Sequence, residues 1–266
     1  MTFFTAPHAT LYYDVFSPDI TGNEVEVTSS PVLLLHGFAG TPTSDFVAQL
    51  PRLISQYTVL APHLHGYGLS SHRTGYNTSY YREDVTDLIA LLDALHLDTV
   101  NILAFSDGSI VALLLAALHP QRVTALAVLG AQATVDAQDA IAIRQWLLEK
   151  PLPEAWQQEL TQLHGDPYWR SLLPLFVKVQ EDLVAAGGVL ITEKELAAIR
   201  CPTLLMHGKR DHVVRVEYAN ALHEHIRHSH LLLFGAGHAA HLRCERAYTE
   251  TVMRFFASPY TFSVDV

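Results

Sequence analysis

Cysteine is scarce in this chain of 266 residues, which contains two, Cys201 and Cys244. Small secreted domains stapled by disulfides carry more, and zinc sites need ligands at short fixed spacings that this pair does not provide. One disulfide between the two remains open. The simpler interpretation is a pair of free thiols in a reducing compartment.

Long hydrophobic runs are also missing. The longest, Ile110–Leu118, is far shorter than the roughly 20 apolar residues that a membrane-spanning helix needs. The first eight residues, Met1–His8, lack the basic region and apolar stretch of a signal peptide. We therefore expect a cytoplasmic protein that is not inserted in a membrane.

Basic residues are fewer than acidic ones, with 17 lysines and arginines against 27 aspartates and glutamates, which gives a formal net charge of −10. A phosphate backbone would be repelled by this charge, and no stretch rich in lysine or arginine offsets it. Binding to nucleic acid is therefore not expected.

Histidine, by contrast, is abundant, with 16 residues. The segment His223–His228 resembles a zinc-protease helix, but the H-E-x-x-H motif needs histidine where Arg227 stands. His223 and His225 are two residues apart, so on a helix they point in different directions. We predict no metal site, and interpret these histidines as surface residues.

Apolar runs typical of strands alternate with helical patterns along most of the chain. Strands are predicted at 9–15, 24–27, 32–35, 57–61, 100–105, 123–129, 201–206 and 231–234. Helices are predicted at 43–55, 79–95, 109–119 and 248–257, with Pro51 either shortening the first or marking a second start. Continuous apolar strands between helices indicate a mainly parallel sheet covered on both faces.

The pattern changes after the sixth predicted strand. Residues 132–199 contain helical stretches broken by prolines, all three tryptophans of the chain, and no apolar strand pattern. We predict a small helical cap at 132–199, inserted into a core formed by 1–131 and 200–266.

Ser106 lies between an apolar strand and an apolar helix, with Ala104 and Gly108 two residues away on either side. A sharp strand-to-helix turn needs small residues at these places and exposes the serine hydroxyl beside a helix N-terminus. The pattern approaches the G-x-S-x-G nucleophile elbow, with alanine for the first glycine. The alternative is an ordinary turn or cap serine, which the neighbouring residues make the weaker interpretation.

A carboxylate and a histidine follow later strands in the order typical of α/β-hydrolases. Asp211 comes after the strand at 201–206, and His238 after the strand at 231–234. Asp211 has the alternative of being a turn residue. His241 competes with His238, but we prefer His238 because glycines precede it, and we expect His241 on the following helix.

These residues predict a mechanism. His238 takes the proton of Ser106 as the hydroxyl attacks a carbonyl carbon, and Asp211 orients and stabilises the imidazole. The backbone N–H groups of Phe38 and Asp107 would bind the oxyanion. His36 is expected to hold the loop of Phe38 by hydrogen bonds.

The sequence resembles the α/β-hydrolase superfamily over nearly its whole length. Phe105–Gly108 and Arg200–Asp211 are most similar to biphenyl-hydrolase-like, or valacyclovir-hydrolase-like, serine hydrolases. The resemblance implies hydrolysis of small esters, lactones or related acyl compounds without a cofactor, with Ser106, Asp211 and His238 as the triad.

Specificity is the least determined feature. Asp107 beside the nucleophile would favour substrates carrying an amino group, or it is simply an acid in the first turn of a helix. Trp146, Trp156, Trp169 and Tyr168 are candidates for an apolar acyl pocket, although aromatic residues in a small cap more often only pack it.

The leading hypothesis is a carboxylesterase-like hydrolase of small molecules, acting as a monomer or homodimer. Because serine cannot form an alkyl-ester intermediate, dehalogenase and epoxide hydrolase activities are excluded. Three alternatives remain: a cofactor-free haloperoxidase or a carbon–carbon bond hydrolase with the same triad, and a ligand-binding receptor with little turnover.

Overall fold

An eight-stranded sheet forms the centre of the protein in a computed structural model that describes residues 2–18 and 30–264. The strands are β1 (Thr2–Thr5), β2 (Thr10–Phe16), β3 (Val32–Leu35), β4 (Val59–Pro62), β5 (Val100–Phe105), β6 (Val123–Leu129), β7 (Thr203–Gly208) and β8 (Ser229–Phe234). Their spatial order is β1-β2-β4-β3-β5-β6-β7-β8. β1 and β2 are antiparallel to their neighbours, and the other strands are parallel. The predicted strand at 24–27 lies outside the described residues.

Both faces of the parallel part are buried. Leu33 and Leu35 of β3 join the core on one face, whereas Val32 and Leu34 join the core on the other. Successive side chains of a strand point to opposite faces, so a sheet covered on both sides needs apolar residues at every position. The predicted mainly parallel sheet flanked by helices is confirmed.

Helices connect the strands. They are α1 (Pro42–Asp45), α2 (Leu50–Ile54), α3 (Tyr80–Ala94), α4 (Asp107–Leu118), α5 (Ala137–Arg144), α6 (Glu154–His164), α7 (Tyr168–Ala185), α8 (Glu193–Leu196), α9 (Val216–His225), α10 (Ala240–Arg243) and α11 (Glu245–Ala257). The helix predicted at 43–55 is divided in two, because Pro51 lies in the first turn of α2, where its missing N–H is not needed.

Residues 132–199, here called the inserted segment, form α5 to α8 and a π-helical turn at Gln145–Glu149. The segment leaves the sheet after β6 and returns before β7. Its two ends meet, since Thr134 and Val189 form an antiparallel bridge and the Val135 N–H donates to the Gly188 carbonyl at 2.8 Å.

Within the described ranges, every helix is too short or too polar to cross a membrane. Cys201 and Cys244 are both free thiols, of which Cys201 is buried. Burial raises the pKa of Cys201 to about 11, so this thiol stays protonated at neutral pH.

Candidate active site

Ser106 lies at the turn between β5 and α4 in a strained backbone conformation. Its φ of 51° and ψ of −122° fall where residues other than glycine are rarely found. The Ser106 N–H donates to the Leu129 carbonyl of β6, and the Ser106 carbonyl accepts from the Ser109 N–H, both at 2.8 Å. The neighbouring strand and the first turn of α4 thus fix the position of the serine.

His238 follows β8 and brings its imidazole to Ser106. Nε2 lies 2.9 Å from Ser106 Oγ, and Nδ1 lies 2.7 Å from Asp211 Oδ2. Gly130 makes room for the ring, because a Cβ there would stand 2.9 Å from His238 Cε1. When Nδ1–H donates to the carboxylate, Nε2 is free to accept from the serine hydroxyl. The three side chains predicted to be catalytic therefore form one hydrogen-bonded row.

Asp211 is held by the backbone of its own loop. Its Oδ1 accepts the N–H groups of Val213 at 2.8 Å and Val214 at 2.9 Å, which leaves Oδ2 for His238. Burial alone would raise the pKa of Asp211, but the hydrogen bonds from His238 and these N–H groups outweigh it and lower the pKa. The carboxyl is therefore ionised at neutral pH, as the partner of an imidazolium must be.

Two backbone segments beside Ser106 carry the residues predicted to supply the oxyanion donors, Asp107 and Phe38. Asp107 is the first residue of α4. The N–H groups in the first turn of a helix have no carbonyl partner within the helix, so they are free to bind another acceptor. Phe38 lies in the β3–α1 loop, residues 36–41. Gly37 of this loop packs so closely that its Cβ would stand 3.1 Å from Ser106 Cβ.

A cavity of about 300 Å³ opens beside the serine. Its wall is mostly apolar, and it is lined by Phe38, Phe105, Ser106, Asp107, Ile110, Gly130, Gln132, Asp139, Ile143, Trp146, Trp156, Phe176, Gln180, Val213, Val214, His238 and Ala239. Trp146 and Trp156 stack with their ring centroids 5.2 Å apart. The rings of Phe38 and Phe176 stack at 3.8 Å.

Trp169 does not line this cavity, so the expectation that it contacts a substrate is not met. It is buried within the inserted segment, with its Nε1–H donating to Thr161 Oγ1 at 3.0 Å and Arg170 lying over its ring. Its contacts fit the alternative interpretation of the sequence, in which an aromatic residue only packs the helical segment.

His241 and His36, the other two histidines considered for the active site, lie outside the row Asp211–His238–Ser106. His241 is on α10, as expected, buried with its ring 4.4 Å from that of Phe105. His36 donates from Nδ1 to the Gly37 carbonyl at 2.8 Å and accepts the Leu64 N–H at Nε2. Burial lowers the pKa of His241 to about 4 and of His36 to about 3, so both rings are neutral.

Asp107 has an unusual carboxyl. Oδ1 accepts the hydroxyl of Tyr81 at 3.0 Å, whereas Oδ2 is buried without a hydrogen-bond partner among the described residues. Burial raises the pKa of Asp107 to about 7, against the opposing effect of the Tyr81 bond. Sequence reasoning missed Tyr81 and Gln180, because the only signal of either was its place on a helix.

A family model described as the alpha/beta hydrolase fold matches residues 30–178. The chain therefore belongs to the α/β-hydrolase family. It is an α/β-hydrolase whose relatives include serine hydrolases and a 2-hydroxymuconate semialdehyde hydrolase.

Individual relatives give the same assignment. The human serine hydrolase BPHL is 30% identical over 215 residues, covering 80% of this chain and 74% of that protein. The 2-hydroxy-6-oxo-2,4-heptadienoate hydrolase of Pseudomonas putida is 27% identical over 254 residues, covering 86% and 90%. The solved meta-cleavage product hydrolase of Pseudomonas fluorescens superposes with a TM-score of 0.79 at 20% identity, covering 97% and 98%, and so supports the fold.

Proposed function

We propose that this chain is a serine hydrolase that cleaves small carboxylic esters or related acyl compounds through an acyl-enzyme. The observation that carries the proposal is the row Asp211–His238–Ser106, with distances of 2.7 and 2.9 Å, in which Ser106 and His238 line an apolar cavity. The reaction needs no metal or cofactor in this proposal, because the nucleophile, base and oxyanion donors all come from the chain.

In the first half of the reaction, Ser106 Oγ attacks the carbonyl carbon and its proton passes to His238 Nε2. The carbonyl oxygen becomes an oxyanion, for which the N–H groups of Phe38 and Asp107 are the donors. Each such donor is worth roughly 2.7–4 kcal/mol in other serine hydrolases. His238 then protonates the leaving alcohol, and the acyl group stays on Ser106.

In the second half, a water molecule gives its proton to His238 and attacks the acyl carbon. Collapse of the second tetrahedral intermediate releases the acid and returns the proton to Ser106. Asp211 remains ionised throughout and stabilises the imidazolium, consistent with its lowered pKa.

We further propose that residues 132–199 act as a cap over a core of 1–131 and 200–266. The inserted segment supplies Trp146, Trp156, Phe176 and Gln180 to the cavity wall, while the core supplies Ser106 and His238. A substrate with an apolar acyl group of modest size suits such a wall. The two free thiols suit a cytoplasmic location.

The proposal is tested by labelling with a fluorophosphonate, followed by turnover of a panel of p-nitrophenyl and amino-acyl esters. Wild-type protein should label and hydrolyse at least one ester, and Ser106→Ala should do neither. Ser109→Ala is the matched control, since Ser109 is buried one turn along α4 and its hydroxyl donates to the Leu129 carbonyl. Labelling that survives in Ser106→Ala would overturn the assignment of the nucleophile.

A carbon–carbon bond hydrolase is the second candidate, favoured by the similarity to the Pseudomonas putida heptadienoate hydrolase. Loss of the long-wavelength absorbance of a dienone substrate, at a rate exceeding that of every ester, would select it. Strong labelling without turnover of esters or dienones would select a receptor-like protein instead.

A further inference from the structure

The β3–α1 loop contains a residue in a strained backbone conformation. Ala39 has a φ of 59°, a left-handed conformation in which alanine is strained. This residue directly follows Phe38, whose N–H is a donor in the proposed reaction. A change in the conformation of Ala39 would therefore shift the loop that carries the Phe38 N–H.

His164, the last residue of α6, reaches this loop from the inserted segment. Its Nε2 lies 2.9 Å from the Ala39 carbonyl oxygen, and its Nδ1 lies 2.8 Å from the Gly68 nitrogen in the loop after β4. The carbonyl can only accept and the N–H can only donate. The ring must therefore carry its proton on Nε2 and be neutral.

The surroundings of His164 favour that neutral form. The residue is 4% exposed, and burial lowers its pKa, outweighing the bond to Ala39. Its ring packs edge-on against Tyr67, at 6.0 Å between centroids. Both ring nitrogens of His164 thus make a hydrogen bond, and the ring cannot rotate without breaking them.

We propose that His164 is a positioning residue for the proposed reaction: it holds the Ala39 carbonyl, and with it the β3–α1 loop that carries the Phe38 N–H proposed to stabilise the oxyanion. This inference rests on the proposed serine hydrolase function. It assigns the inserted segment a part in the chemistry as well as in substrate selection. The stacking of Phe38 on Phe176 of α7 is a second contact between the inserted segment and this loop.

The test uses purified full-length protein with His164→Phe, which keeps a ring but removes both nitrogens. A misplaced oxyanion donor should lower kcat about 10- to 100-fold, less than the roughly 10²–10³-fold cost of a donor lost altogether. KM should change by less than about threefold, because ground-state binding does not use the oxyanion donors. Inhibition by a trifluoromethyl ketone, which forms a tetrahedral adduct with serine, should weaken in parallel with kcat/KM.

Two further variants separate positioning from general stability. His164→Gln retains one acceptor and one donor in a carboxamide and should recover most of the lost kcat. Thr161→Val lies one turn earlier on α6 and removes the acceptor of the Trp169 Nε1–H without touching the loop, so it should keep wild-type kcat. If His164→Phe does not fold, His164→Met, which fills the same space without a donor, takes its place.

Wild-type kcat and ketone affinity in a folded His164→Phe or His164→Met variant would overturn the inference. So would a loss in Thr161→Val as large as that in His164→Phe, because the effect would then be one of general stability. Failure of the wild-type protein to hydrolyse any ester or label with fluorophosphonate would instead overturn the proposed function.

Discussion

A Cβ placed on Gly108 would stand 2.4 Å from the carbonyl oxygen of Leu35, so α4 and β3 touch through bare backbone two residues after Ser106. The same Cβ would also lie 2.4 Å from the carbonyl oxygen of His36. These oxygens belong to the backbone of β3 and of the loop that follows it, which cannot rotate out of the way as a side chain could. The close approach explains why a glycine stands after the serine.

Gly108→Ala is therefore expected to destabilise the protein by about 1–3 kcal/mol, the usual cost of overpacking. Ester hydrolysis should fall at least tenfold, because the turn that holds Ser106 must open. Urea unfolding and kcat/KM measure the two effects. Ala104→Gly is the control and should cost only about 0.5–1 kcal/mol, from backbone entropy in a strand. Equal effects of the two substitutions would contradict this account of the turn.

Asp211→Asn should keep the loop but lose the reactive tautomer of His238. The amide oxygen can still accept from Val213 and Val214, as Asp211 Oδ1 does now. The amide NH2 then faces His238 Nδ1, which favours protonation on Nε2, and kcat should fall by about 10⁴-fold with little change in KM. The kcat values of wild-type and Asp211→Asn protein are compared in assays on a p-nitrophenyl ester. A melting curve for each protein checks that both are folded. A loss of less than tenfold would remove Asp211 from the mechanism.

The positions of Ser106, Asp211 and His238 could be predicted because each follows an apolar strand. Parallel strands end at one edge of the sheet, so residues after three different strands meet there however far apart they are in the chain. Continuous apolar runs also gave the sheet class, because both of its faces are buried. β1 was missed, since Thr2–Thr5 is mostly exposed and has no apolar alternation.

The cavity wall could not be predicted in the same way. Trp146 faces the cavity and Trp169 does not, although both are tryptophans in the same inserted segment. Which face of a helix points towards the cavity depends on how α5 to α7 pack against each other. Amino-acid composition does not determine that packing. Tyr81 lies within the helix predicted at 79–95, but its hydrogen bond to Asp107 depends on how α3 packs against α4.

The stacked pair Trp146 and Trp156 is expected to select the acyl group. Trp146→Ala should lower kcat/KM for hexanoate or benzoate esters about tenfold relative to acetate, since one or two lost methylene-sized contacts are worth ~1–3 kcal/mol. The acetate rate should stay within about threefold, because an acetyl group is too short to use the contact. Trp169→Phe is the matched control and should leave the ratio unchanged. An unchanged ratio in Trp146→Ala would place the acyl group elsewhere in the cavity.

Asp107→Asn should stabilise the protein increasingly as the pH rises. The folded-state pKa of Asp107 is raised from 3.8 to about 7, so the folded protein keeps this proton to a higher pH than the unfolded chain. The contribution of the carboxyl to stability therefore falls between these two pH values and is constant above them. Asparagine still accepts the Tyr81 hydroxyl and has no proton to lose.

Thermal unfolding of both proteins from pH 4 to pH 8 measures this effect as a difference in Tm. The difference should be small near pH 4 and should grow in favour of Asp107→Asn up to about pH 7, following the raised pKa. Asp84, with a pKa of about 7, and Asp45, with a pKa of about 6, titrate in both proteins, so the difference isolates Asp107. A Tm difference that does not vary with pH would mean that Asp107 is ionised at all these pH values.

The same variant distinguishes the two roles considered for Asp107. If the carboxylate binds a substrate amine, Asp107→Asn should lower kcat/KM for amino-acyl esters at least tenfold at pH 8, where the wild-type group is mostly ionised given its pKa of about 7. Neutral esters of matched acyl length should change by less than about threefold, because an asparagine at the first position of α4 leaves the backbone N–H in place. The selectivity should shrink towards pH 6, as the wild-type carboxyl takes up its proton. If kcat/KM fell equally for amino-acyl and neutral esters at every pH, the carboxylate would not bind a substrate amine. Asp107 would then be an ordinary acid in the first turn of α4 that takes part in the reaction only through its backbone N–H.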